Sequence, residues 1–150
     1  MSIEKDIKQK KFRNEHQKSI INIIYTFNWV TEQSKVILER GDVTAQQFNI
    51  LRILRGAGAP LSTLQIRQRM LDKMSDTSRI VDRLIVKGLV KKNVCKADKR
   101  LVDVNITDKG RKLLAKLDKY EEEMDAIAGN LSEAEAKSLN KLLDKIRNSN

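Results

Sequence analysis

Between Met74 and Gly110 the spacing of apolar residues changes from helical to alternating, and the chain is organised around that change. Ile80, Val81, Leu84 and Ile85 recur at i, i+1, i+4 and i+5, which places one apolar stripe on a helix. Ser75 or Asp76 can cap its start, and Gly88 tolerates the left-handed backbone that stops it. Further on, Val102, Val104 and Ile106 alternate with Leu101, Asp103 and Asn105, which predicts a strand with one buried face. Lys96, Ala97, Asp98, Lys99 and Arg100 are too charged to be anything but the solvated tip of a hairpin. Upstream, two more helices are announced by their caps. Thr44 with Gln47 and Ser62 with Gln65 are capping boxes, flanked by the staple pairs Val43/Phe48 and Leu61/Ile66. Phe48, Leu51 and Leu54 are the expected buried face of the first, and Leu64, Met70 and Leu71 of the second. Gly56 to Pro60 breaks between them. Two short helices followed by a basic hairpin make a winged helix-turn-helix.

Both flanks carry apolar seams. Residues 1–11 are polar and lysine-rich and are expected to be frayed. From about Phe12 to Arg40 a long helix carries His16, Ile20, Ile23, Phe27, Val30, Ser34 and Ile37 at alternating spacings of four and three. Ile21, Ile24 and Leu38 widen that seam beyond what one small domain can cover. After a Thr107 cap, Leu113, Leu117, Tyr120, Met124 and Ile127 repeat in the same way. Ser132 and Glu135 then open a last helix with Leu139, Leu142, Leu143 and Ile146. The expected architecture is mainly α with a small β-hairpin wing, in one domain over 1–150. Its winged helix-turn-helix occupies 44–110, and 12–40 and 113–148 are dimerisation helices of a homodimer.

Charge adds a partner to this picture. Residues 79–112 hold eleven Lys/Arg against four Asp/Glu, so most of the chain's net +10 lies in the helix and hairpin. A basic excess confined to a groove-binding motif points to nucleic acid. One cysteine excludes an internal disulfide framework and suggests a cytoplasmic setting. One Cys and one His cannot assemble a metal site of ordinary spacing. The charged opening is not a signal peptide, and no apolar run suits a membrane span. No paired carboxylates, nucleophile–base pair or phosphate-binding glycine loop stands at usable spacing, so neither an enzyme nor a cofactor is expected.

The polar face of the helix before Gly88 presents Ser75, Thr77, Ser78, Arg79, Asp82 and Arg83, with Lys87 near its end. Arg79 and Arg83 are one turn apart, and either can fork onto guanine or rest on a phosphate. Ser62 and Thr63, at a helix start, can offer donors to a phosphate. In the wing, Arg100 suits a narrow minor groove, Asp98 would hold an arginine in place, and Lys91, Lys92, Lys96 and Lys99 suit phosphates. Cys95 reads as an inert strand thiol, with a redox role as the alternative because Lys92 and Lys96 are near. His16 reads as a packed residue of the core or an interface.

The sequence resembles the MarR family of bacterial transcriptional regulators. The resemblance is carried by residues 44–51 (TAQQFNIL) and 77–84 (TSRIVDRL). It continues in Lys87 to Val90 and in Asp98, Lys99 and Arg100 leading to Ile106, Thr107, Asp108, Lys109 and Gly110. Lys99 stands where the family usually has the middle arginine of its Asp-Arg-Arg wing, and Ile66 where it often has a small alanine. The first helix lacks the cysteine that peroxide-sensing relatives carry there. The resemblance implies a homodimeric regulator, a repressor released from an inverted-repeat DNA operator by a small aromatic or anionic effector. Tyr25, Phe27, Trp29 and Phe48 are candidates for lining the effector pocket. The competing readings are a winged-helix module that binds protein and a redox-sensing regulator that uses Cys95.

Overall fold

Side-chain caps set where most of these helices begin. The computed structural model describes residues 1–94, 96–98 and 102–148, so the expectations for Cys95, Lys99, Arg100 and Leu101 lie outside the described residues. Helix α1 is a single turn, Ile3–Asp6. It corrects the expectation of a frayed start, because Ile3 is buried and Glu4 pairs with Lys18. Helix α2, Glu15–Leu38, is capped by Asn14 and tightens into a 3-10 turn at Glu39–Gly41. The Thr44/Gln47 capping box opens α3, Ala45–Ala57, which ends at Gly58. A two-residue strand β1, Leu61–Ser62, leads into the Ser62/Gln65 box and α4, Thr63–Arg69. Asp76 caps α5, Thr77–Val86. Gly88, at φ 71°, turns the chain into β2, Val90–Val94. After β3, Val102–Ile106, Thr107 caps α6, Asp108–Asp118. Helices α7, Glu121–Ala126, and α8, Glu133–Arg147, complete the order, the latter behind the Ser132/Glu135 box. Among the described residues no helix is long and apolar enough to cross a membrane.

The sheet has three antiparallel strands in the order β1-β3-β2, one more than the expected hairpin. Leu61 pairs with Val104 and Ser62 with Asp103, while Val90 to Val94 pair with Ile106 to Val102. Leu61, Val90, Val104 and Ile106 turn inward. They meet Ile50, Leu51 and Leu54 of α3, Ile66 of α4, and Val81 and Leu84 of α5 in one cluster. Val102, nearer the tip, is exposed, so the buried face of β3 ends at Val104.

Two expectations about packing are corrected. Leu64 and Leu71 are 64% and 82% exposed, whereas Ile66 is fully buried. Helix α4 spans seven residues, and Leu64, two positions from Ile66, falls on its opposite side. The chain leaves the helix at Met70 in an extended conformation, so Met70 turns in and Leu71 out. The second expected seam is also no free seam. Leu114 and Leu117 are in the winged-helix core, and Leu113, Tyr120 and Met124 pack against it. The expected boundary at residue 113 thus coincides with no break in packing. Nor is the helix continuous. The Tyr120 N–H bonds the Leu117 carbonyl three residues back, and the axis breaks between α6 and α7. Apolar surface remains open on α2 and α8, at Ile20, Phe27, Leu142 and Ile146 among others. His16 is likewise exposed on α2 rather than packed within the chain.

Candidate nucleic-acid interface

The wing is fixed to the end of α5 by backbone contacts. Thr107 N–H donates to the Leu89 carbonyl at 3.0 Å, and its hydroxyl donates to the Gly88 carbonyl at 2.7 Å. Gly110 makes this approach possible. A Cβ there would stand 2.4 Å from the Leu89 carbonyl oxygen and 2.8 Å from Ile106 Cγ1. Helix α5, the wing strands and α6 therefore hold one relative position.

On α5 the structure separates the polar residues into two groups. Ser78, Arg79, Asp82 and Arg83 are exposed. Ser75 and Thr77 are buried, which corrects their placement on the exposed face. Ser75 Oγ donates to the Asp72 carbonyl at 2.8 Å and closes the turn before the helix. Thr77 Oγ1 is enclosed with no hydrogen-bond partner among the described residues. Both positions precede or open the helix, where its first turn is pressed against the core, a feature the apolar spacing does not encode.

Asp82 accepts from Lys92 Nζ at 2.6 Å, joining α5 to β2. Lys92, assigned to phosphate from the sequence, is thus engaged within the chain. The opposite charges lie ten residues apart across the Gly88 turn, so charge patterning held the signal. Arg79 and Arg83 make no side-chain hydrogen bond or ion pair among the described residues and keep all their guanidinium donors. Lys91 and Lys96 are exposed on the wing, and Asp98 is half-buried at its tip. Lys87 points elsewhere. Its ammonium lies 3.3 Å from Gln47 Oε1 and 3.6 Å from the Asp42 carboxylate, and it donates to the Asp42 carbonyl.

Ser62 is first of all a cap. Its Oγ accepts from the Gln65 N–H at 3.2 Å, and its own N–H donates to Gln65 Oε1 at 2.9 Å. Thr63, the first residue of α4, is half-buried. The four aromatic candidates for an effector pocket are not brought together within the chain. Phe27 lines an open groove between α2 and α8, whereas Phe48 lines a cavity of about 70 Å³ with Arg52, Leu117 and Tyr120.

Helix pair, recognition-type helix and basic hairpin together define a winged helix-turn-helix protein of the DNA-binding class. The model of the MarR family matches residues 41–101. The HTH-type transcriptional regulator PecS of Dickeya dadantii (strain 3937) is 30% identical over 114 residues, 73% of this chain and 68% of PecS. The chain belongs to the MarR family and is a transcriptional regulator of that family. Among solved structures, a mutant of E. coli MarR complexed with operator DNA matches with a TM-score of 0.81 at 24% identity, over 91% of this chain and 99% of that one. Bordetella bronchiseptica BpsR, described with the regulation of its DNA binding by 6-hydroxynicotinic acid, matches with a TM-score of 0.81 at 21% identity, over 94% and 100%.

Proposed function

We propose that the chain is a homodimeric, sequence-specific DNA-binding repressor, released from an inverted-repeat operator by a small aromatic or anionic effector. The observation that carries this reading is the charge arrangement on α5. Its exposed carboxylates are both engaged, Asp82 by Lys92 and the cap Asp76 by the Arg79 backbone N–H, while the Arg79 and Arg83 guanidiniums remain unpaired among the described residues. Such a helix presents guanidinium donors to base edges while its acids are held by other partners. Ser78 adds a hydroxyl, Lys91 and Lys96 neutralise phosphates, and Arg100 enters the adjacent minor groove. E. coli MarR complexed with operator DNA and BpsR with its regulation by 6-hydroxynicotinic acid support the operator and the effector class.

The test is selection of bound fragments from genomic DNA with the purified full chain, followed by titration of one fragment against random duplex. Neutralising about 6–10 phosphates makes affinity fall by roughly 10³–10⁵ between 50 and 200 mM salt. Arg79→Ala is expected to relax base preference within the half-site by about 1–3 kcal/mol. A protein that enriches no fragment and does not bind duplex DNA at low salt is instead the protein-binding winged helix.

A further inference from the structure

The C-terminal end of α5 borders a cavity of about 470 Å³ that the DNA-facing surface does not use. Four lysines line it: Lys87 at the end of α5, and Lys109, Lys112 and Lys116 on α6. The spacings of three and four put the last three on one face of their helix. Asp42 is the one carboxylate on its wall. Leu89 and Leu113 give the cavity an apolar floor. Gly41 lets that floor approach the chain, since a Cβ there would lie 3.1 Å from Leu113 and Leu117 methyls.

Three of the ammonium groups are held in place by the protein itself. Lys109 donates to the Lys87 carbonyl at 2.8 Å, Lys116 to the Arg40 carbonyl at 2.9 Å, and Lys87 to the Asp42 carbonyl. The Lys87 and Arg40 carbonyls are at or near helix C-termini, where the backbone dipole favours a cation. Each ammonium has three donors, so one carbonyl does not exhaust it. Lys112, between Lys109 and Lys116, makes no hydrogen bond among the described residues. Three fixed cations and one free one around a concave, partly apolar space have paid the ordering cost of a binding site in advance. The floor adds room for an organic body behind the charge.

We propose that this cavity binds a multivalent small anion, a phosphorylated or polycarboxylate metabolite. Lys109, Lys112 and Lys116 contact its charged groups, and Leu89 and Leu113 its body. The site lies at the opposite end of α5 from the turn that presents Arg79, so anion and operator are not competitors for the same residues.

Isothermal titration calorimetry on the full chain tests this, with inorganic tripolyphosphate and citrate as the probes. At about 0.15 M salt, where exposed charges are screened beyond about 8 Å, diffuse attraction is suppressed. Saturable binding is expected, with one anion per chain. Lys112→Gln, which breaks no hydrogen bond among the described residues, is expected to weaken it by about tenfold or more, and Arg79→Gln with Arg83→Gln to leave it unchanged. Tighter binding of tripolyphosphate identifies a phosphorylated ligand class, and tighter binding of citrate a polycarboxylate. No saturable binding of either probe overturns the proposal. Equal affinity in Lys112→Gln also overturns it, because the lysines then act as helix-end caps alone. So does loss of binding in the Arg79/Arg83 variant with full binding in Lys112→Gln, which places the anion on the DNA-facing side.

Discussion

Arg55 holds Asp118 with both arms of its guanidinium at 2.8 to 3.0 Å, joining α3 to α6 at the rim of the core. Both side chains are more than a third exposed or close to it, so solvent screens the pair. Arg55→Ala is therefore expected to cost up to about 1 kcal/mol. Ile66→Ala, which empties a fully buried site, is expected to cost about 2–5 kcal/mol. Leu71→Ala, at 82% exposure, is expected to stay within about 0.5 kcal/mol of the parent. Urea denaturation of the three variants checks the order, and a Leu71→Ala loss as large as that of Ile66→Ala would contradict the packing described here. Residue type alone does not rank them. Ile66 and Leu71 look equally apolar in sequence, and the difference arises because α4 ends at Arg69. The signal for Ile66 was its place in the Leu61 staple, whereas Leu71, seven residues from Leu64, continued a helical spacing past the point where α4 ends.

Caps carried the element boundaries into view, because each is a local exchange of hydrogen bonds between residues three apart. Thr44, Ser62, Asp76, Thr107 and Ser132 all cap the helices expected of them. Long-range pairings were not legible. Strand β1 has two residues and no period, and only its pairing with Val104 and Asp103 makes it a strand. The break after α6 falls at Tyr120, whose ring stands 4.4 Å from the Arg40 guanidinium, a contact 80 residues apart in the chain. Two predictions belong to this scale. Gly110→Ala is expected to lower the melting temperature and disturb the wing, because the new Cβ meets the Leu89 backbone rather than a movable side chain. Amide spectra should show the changes concentrated at β2, β3 and the start of α6. The second concerns α1. The ion pair with Lys18 holds the Glu4 carboxyl down, from the usual 4.5 to about 2. A lowered carboxyl contributes attachment that is present above 4.5 and lost as pH falls towards 2. NMR titration should show Glu4 titrating near 2 and α1 detaching with it. Lys18→Gln should raise the Glu4 midpoint part of the way, since backbone and Ser2 hydrogen bonds also hold it down, and an unchanged midpoint in that variant would refute the pairing.

At the scale of the whole molecule, α2 and α8 leave an apolar groove of about 920 Å³, lined by Ile23, Phe27 and Val30 from one and Leu139, Leu142 and Ile146 from the other. Contiguous apolar surface of this extent is unusual on a chain that stays alone in water. The proposed dimer covers it, and Ile23→Asp with Leu142→Asp is expected to leave monomeric or aggregated chains in sedimentation. The proposed dimer also sets the expected way in which DNA is read. Two α5 helices related by a two-fold axis enter successive major grooves when they stand about 34–36 Å apart. The operator is then an inverted repeat with half-site centres about 10–10.5 base pairs apart, or a multiple of that. Binding by the aspartate variant should fall to the level of random duplex, since one half-site offers half of the phosphate and base contacts. Its salt dependence should become correspondingly shallower, because the slope follows the number of phosphates neutralised. Footprinting parent and variant on one selected fragment separates the outcomes. Symmetric protection lost in the variant supports the dimer, and an identical footprint from a demonstrated monomer would show that one chain reads its site alone.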